Sequence, residues 1–207
     1  MFVVCAIALL CLMSASHSAP MVCEKLLQPL DELHPHRFEG KWALVAGSLD
    51  HNKSMEALRL RDSITMYFSN SSEASTVSYT QVNRFGDLCQ YLRYNISVRG
   101  STFNFDVGDR FNLSGAFLYT SCPDCLVMLW NVKSQRRVST DMYLLSRRRE
   151  VEQKEMQEFR DQLTCDQLPI PVMMDPTKEL CPEESESQSP TAATVPIQET
   201  TATQSAQ

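Results

Sequence analysis

The sequence predicts an all-β domain of eight antiparallel strands, a sandwich or an up-and-down barrel, with one C-terminal α-helix packed on its wall. Three observations carry this. From Lys41 to Ser146, short runs rich in Val, Ile, Thr, Tyr and Phe recur at regular spacing between polar or glycine-containing turns. Within the runs apolar and polar residues alternate, the period of a strand with one wet face. After Ser146 the period lengthens to that of a helix.

The chain opens on an apolar run, Phe2 to Met13, followed by the small residues Ser14, Ala15, Ser16, Ser18 and Ala19. This is the pattern of a secretory signal peptide, too short for a membrane span. Residues 1–18 are read as that signal, cut near Ser18, and no membrane span is expected after it. Residues 20–39 read as an irregular lead-in with a short helical turn holding Cys23.

Strands are expected near 41–49, 57–69, 75–83, 89–99, 101–107, 113–121, 125–132 and 138–146. In the fourth, Leu92, Tyr94, Ile96 and Val98 share one face, and Arg93, Asn95 and Ser97 the other. In the fifth, Phe103 and Phe105 lie opposite Asn104 and Asp106. Cys122-Pro-Asp-Cys125 falls at a hairpin turn. A redox C-x-x-C usually opens a helix, so this pair reads as a structural clip across the turn.

From Glu150 to Thr164, Met156, Phe159 and Leu163 form one helical stripe. Glu150, Glu152 and Glu155 fall early, near the positive end of the helix dipole. The charged face reads as ordinary solvated surface. Pro169 and Pro171 then enforce an extended segment leading to Cys181. The domain is taken as 19–182. The tail, 183–207, is rich in Ser, Thr, Pro, Gln and Glu, lacks apolar bulk and is expected to be disordered.

Net charge is −6 and no basic tract stands out, so nucleic acid is not an expected partner. Asn52, Asn70, Asn95 and Asn112 each open an N-x-S sequon, and behind a signal peptide they are expected to carry glycans and face solvent. Cys5 and Cys11 leave with the signal. Cys23, Cys89, Cys122, Cys125, Cys165 and Cys181 remain, an even set that suits an oxidising compartment. Spacing alone leaves their pairing open. His17, His34, His36 and His51 have no metal-ligand spacing, and no phosphate loop or nucleophile elbow is present. The chain is read as not an enzyme, with no metal and no cofactor.

Gly40-Lys41-Trp42, opening the first strand shortly after the mature N-terminus, resembles the G-x-W motif of the lipocalin family. Within that family residues 21–182 resemble orosomucoid (alpha-1-acid glycoprotein) and its fish relatives, the tributyltin-binding and saxitoxin- and tetrodotoxin-binding plasma proteins. The similarity rests on Gly40-Lys41-Trp42 followed by Asn52-Lys-Ser54, and on Tyr67-Phe68-Ser69-Asn70. It rests also on Cys89-Gln-Tyr91, and on Glu158-Phe159 through Cys165 to Ile170-Pro171. Cys122 and Cys125 depart from the orosomucoid pattern.

The resemblance implies a closed barrel. Gly40 and Trp42 would shape one end, with Arg147, or Arg148, packed across the indole. It implies the disulfides Cys23–Cys165 and Cys89–Cys181, which leaves Cys122–Cys125. Strand by strand, it places Leu44, Met66, Phe68, Leu126, Met128, Trp130, Tyr143 and Leu145 inward, and strand parity adds Phe103, Phe105, Phe117 and Tyr119. Those residues are the expected ligand contacts. Asp141 shares the parity of Tyr143 and Leu145, so it is expected to face the cavity and to pair with an amine or guanidinium guest. The family's inward Glu and Gln on the third strand become Gln81 and Asn83. The implied function is a secreted, monomeric carrier in a plasma-type fluid for a small lipophilic or amphiphilic ligand, xenobiotics and toxins included. The alternatives are an apolipoprotein-M-like lipid carrier and a plasma interaction or immunomodulatory protein that acts through its glycans.

Overall fold

The first strand, β1 (Gly40–Leu49), hydrogen-bonds on two sides and so decides between sandwich and barrel. Its first half pairs antiparallel with β2 (Ser63–Asn70), Trp42 opposite Met66. Its second half pairs antiparallel with β8 (Val138–Ser146), Leu49 opposite Asp141. Between them run β3 (Thr76–Phe85), β4 (Leu88–Arg99), β5 (Thr102–Asp106), β6 (Phe111–Leu118) and β7 (Cys125–Ser134), each antiparallel to the next. The result is a closed eight-stranded antiparallel barrel. A two-residue strand, β9 (Val172–Met173), pairs with the part of β1 that β2 leaves uncovered.

This computed structural model describes residues 22–31, 38–70, 76–106, 111–134 and 137–183. The expected signal segment and the tail from residue 184 onward lie outside the described residues, as do His34 and His36. No helix among the described residues is long and apolar enough to cross a membrane.

Leu44 lies opposite Leu145 and Ala46 opposite Leu144, so β1 carries one extra residue, a β-bulge at Val45. The bulge resets the alternation. Trp42, Leu44 and Leu49 join the barrel interior, while Val45 and Ala46 both join the outer cluster. That is why β1 is buried along nearly its whole length, where a strand with one wet face would alternate.

The helix α2 (Gln153–Cys165) covers this outer cluster. Phe159 and Leu163 pack on Val45, Ala46, Val127, Met142 and Leu144, and Met156 joins them at the edge. Along β8 the outward Met142 and Leu144 thus serve the helix, while Tyr143 and Leu145 serve the interior. The charged face of α2 is not all solvated. Glu155 is buried, accepts a hydrogen bond from the Glu152 backbone N–H at 2.7 Å and pairs with Arg148 at 2.9 Å. A buried carboxylate needs such partners. Arg148 also pairs with Asp124 at 2.6 Å, tying the β6–β7 turn to the start of α2.

Two expected strand boundaries fail: the run read to 121 ends at Leu118, and the run read from 57 starts late. Residues 57–62 read as the start of a strand, yet 57–59 are the end of α1 (Asn52–Arg59), Leu60 is its C-cap, and β2 begins only at Ser63. His51 caps the helix, its Nδ1 accepting from the Ser54 backbone N–H at 3.4 Å. Met55 and Leu58, one turn apart, are the buried residues of α1 and belong to the interior cluster. The fragment Ala57-Leu-Arg-Leu60 suits either period, and the cap with the i, i+3 pair decides it.

Disulfides fasten the described segments that flank the barrel strands. Cys23–Cys165 joins a helical turn at 22–26 to the end of α2. Cys89–Cys181 joins the start of β4 to the C-terminal segment, and Cys122–Cys125 closes the β6–β7 turn. These are the pairs the resemblance implies, with the clip it leaves over.

Candidate functional site

One end of the barrel is shut. Phe38, just before β1, is buried and packs on Phe68 and Phe117 at centroid distances of 5.7 and 6.0 Å. Trp42 Nε1–H donates to the Phe38 carbonyl at 2.7 Å. Arg147 lies over the indole, its Cζ 4.1 Å from the ring centroid, and donates to the Glu39 carbonyl at 2.6 Å. Gly40 has φ +91°, and a Cβ there would stand 3.2 Å from Arg147 Nη1. The glycine of the motif thus supplies both the backbone turn and the room for the arginine.

Above this floor the interior is filled by the protein's own rings. Phe103 and Phe117 stand 5.1 Å apart, Phe68 and Tyr79 5.2 Å, and Phe105 and Trp130 4.8 Å, mostly edge-on or tilted. Leu44, Leu126, Met128 and Leu145 complete the packing. A polar ladder runs up β3: Tyr79 donates to Gln81 at 2.9 Å, and Gln81 donates to Asn83 at 2.8 Å. Burial raises the Tyr79 phenol far above its usual range, so it stays protonated and serves as a donor.

Among the described residues, a cleft of about 160 Å³ lies at the other end, beneath α1. Leu49, Leu58, Ile64 and Met66 form its apolar wall, and Arg61, Gln81, Trp130, Arg137 and Tyr143 its polar parts. Arg137 pairs with the buried Asp141. Ser139 Oγ and the Tyr143 hydroxyl also donate to Asp141, at 3.0 and 3.1 Å. Burial, then the Asp141 charge, raises the Tyr143 phenol well above its ordinary value.

Two residues that line the cleft carry buried donors left over. Trp130 is 8% exposed, and its Nε1–H is buried without a hydrogen-bond partner among the described residues. Arg61 donates from Nη1 to the Ala57 carbonyl at 2.8 Å and lies 5.6 Å from the Phe85 ring centroid, but its buried Nε–H has no partner. Burial lowers the Arg61 guanidinium below its usual value. It remains a cation at neutral pH.

Of the residues expected to touch a ligand, Met66, Trp130 and Tyr143 line the cleft. Leu44, Phe68, Phe103, Phe105, Phe117, Leu126, Met128 and Leu145 point inward but are packed on one another as core. Tyr119 corrects the parity argument. It lies beyond the end of β6, is 46% exposed, and its backbone N–H bonds to the Gln28 carbonyl. Asp141 is interior, but its own chain supplies its cation, so the expected free carboxylate for an amine guest is absent. Arg61, Arg137 and Leu58 escaped notice. Arg61 and Leu58 fell inside the misread 57–69 strand, and Arg137 lies just before β8 with no pattern to mark it.

Asn52, Asn95 and Asn112 are exposed, and Asn70 ends β2. Cys122, Asp124 and Cys125 bring their side-chain ligand atoms within 4.8 Å of one another. Both sulfurs belong to the disulfide, so this cluster offers no thiolate to a metal.

The fold is shared with solved lipocalin structures. Lipocalin 12 from rat epididymis matches with a TM-score of 0.65 and 17% identity, over 74% of this chain and 91% of that one. Siderocalin Ex-FABP, described as functioning through dual ligand specificities, matches with a TM-score of 0.61 and 16% identity, over 72% and 96%. No family model and no curated protein matches the sequence. At this identity the likeness is one of fold.

Proposed function

We propose that this chain is a secreted, N-glycosylated, monomeric carrier of the orosomucoid type. It takes one small lipophilic or amphiphilic molecule into the open end of its barrel and releases it unchanged. The observation that carries this reading is the cleft of about 160 Å³ under α1, at the barrel end opposite Trp42 and Arg147. An apolar cavity of about 150 Å³ already holds a benzene-sized guest. Drug-sized molecules need roughly 300 Å³ or more. For such guests α1 acts as a lid, and lifting it exposes Met55 and Leu58 at a cost of about 2 kcal/mol for each side chain. The guest's own burial offsets that cost.

Export and residence in a plasma-type fluid are supported by three disulfides and by exposed sequon asparagines at Asn52, Asn95 and Asn112. The proposed chain is cut after residue 18, folds over 19–182 and ends in a free tail, with glycans also at Asn70. Carriage rather than catalysis is supported by the state of Cys23, Cys89, Cys122, Cys125, Cys165 and Cys181, all in disulfides. The filled lower barrel favours a second reading, an interaction protein that works through its glycans.

Energy transfer separates the two. A fluorescent apolar probe should bind at one molecule per chain and accept energy from Trp130, which lines the cleft. Trp130→Phe should remove most of the transfer while saturable binding persists. An absence of saturable binding to the native protein would reject the carrier.

A further inference from the structure

Charge in the cleft is unbalanced. Asp141 is the carboxylate beside it, and Arg137, Ser139 and Tyr143 already satisfy that group. Asp62, next to Arg61 in sequence, turns away. It accepts from the Gly86 backbone N–H at 2.5 Å and faces Lys178 at 3.5 Å. Among the described residues no carboxylate pairs with Arg61, whose nearby charged or ionisable neighbour is the Tyr143 phenol. A cationic guest therefore meets a cationic wall, and an anionic guest meets an unmatched guanidinium.

The second unspent donor points the same way. A buried N–H without a partner costs free energy, and a ligand acceptor would recover it. Trp130 Nε1–H is such a group, on a side chain that lines the same cleft as Arg61. A guanidinium and an indole N–H, neither able to accept, call for an acceptor that carries charge. Leu49, Ile64 and Met66, which line the same cleft, call for an apolar body.

Resting on the carrier reading, we propose that the cleft selects anionic amphiphiles: a carboxylate or other oxyanion head on Arg61 and the Trp130 N–H, with the apolar body against Leu49, Ile64 and Met66. This reverses the preference that an interior Asp141 suggests on sequence grounds.

The test uses the full secreted chain, stripped of lipid, and calorimetric titration with octanoate, octan-1-ol and octan-1-amine. These probes share one tail and differ in head charge. Octanoate should bind about tenfold or more tighter than the alcohol, the usual worth of a charge-assisted hydrogen bond, and the amine weakest. Arg61→Gln should bring acid and alcohol level. Arg61→Lys should restore part of the preference, and Trp130→Phe, which keeps a ring, should lose part of it. Equal binding of acid and alcohol to the native protein, a tighter amine, or an acid preference that survives Arg61→Gln would overturn the inference. If the alcohol binds without any acid preference, the carrier stands and only the anion selectivity falls. If none of the three binds, both fall.

Discussion

The guanidinium carbon of Arg147 lies 4.1 Å from the centroid of the Trp42 ring, and this stacked pair is the floor of the barrel. Arg147 directly follows β8 and Trp42 lies near the start of β1, so the contact locks the strands that close the ring. Arg147→Ala should destabilise the fold by about 1–2 kcal/mol, the range of a partly desolvated cation–π contact with its hydrogen bonds. Chemical denaturation followed by circular dichroism checks this, together with a red shift of Trp42 emission. An unchanged midpoint would mean that the floor holds without its lid.

Gly115 tests the tightness of the packed interior. It pairs with Trp130 across β6 and β7, and a Cβ added there would lie 2.2 Å from the Leu129 carbonyl oxygen and 2.5 Å from Phe103 Cζ. Neither a backbone carbonyl nor a ring locked among other rings yields cheaply. Gly115→Ala should therefore cost about 2–3 kcal/mol, although alanine is a conservative change elsewhere. Thermal unfolding should show a fall of roughly 5–10 °C. A neutral result would mean that β6 is free to shift against β7.

The disulfides should differ in weight. Cys23 and Cys165 are 142 residues apart, Cys122 and Cys125 only 3. Loop-closure entropy assigns about 5 kcal/mol to the first and about 2 kcal/mol to the second. Paired Cys→Ala variants, compared by denaturant midpoint, should keep that order. A clip variant as unstable as the long-range one would show that Cys122–Cys125 holds more than its own turn.

Acid should act through Asp62. Its hydrogen bond from the Gly86 backbone N–H, helped by Lys178, holds its carboxyl below the ordinary value. A folded pKa below the unfolded one gives stability that is full above the unfolded value and lost as pH falls through the folded one. Asp62→Asn should thus be less stable than the native protein at neutral pH, and the gap should close below about pH 4. A gap independent of pH would place the effect in packing rather than charge.

Alternation made the barrel legible. From Val77 to Phe105 the inward residues follow strand parity closely, because one face is wet and the other is core. It failed where the backbone broke step. The bulge at Val45 buries consecutive residues, and the end of β6 at Leu118 leaves Tyr119 outside. Phe38, alone ahead of the first strand, had no periodicity to reveal it. The cleft was the least legible part. Its lid is a helix whose last turn reads as strand, and the state of Arg61, Trp130 and Asp141 depends on partners far apart in sequence. Parity could place Asp141 inside, but only geometry could pair it with Arg137.

Native mass spectrometry of the protein purified from its natural source, with any glycans removed enzymatically, is the most direct test of carriage. The account predicts a discrete extra mass, one molecule per chain, lost on mild activation and carrying an acidic group. A chain of bare polypeptide mass that also takes up none of the octyl probes would contradict it. The barrel would then be a filled scaffold, and function would have to be sought on its outer surface.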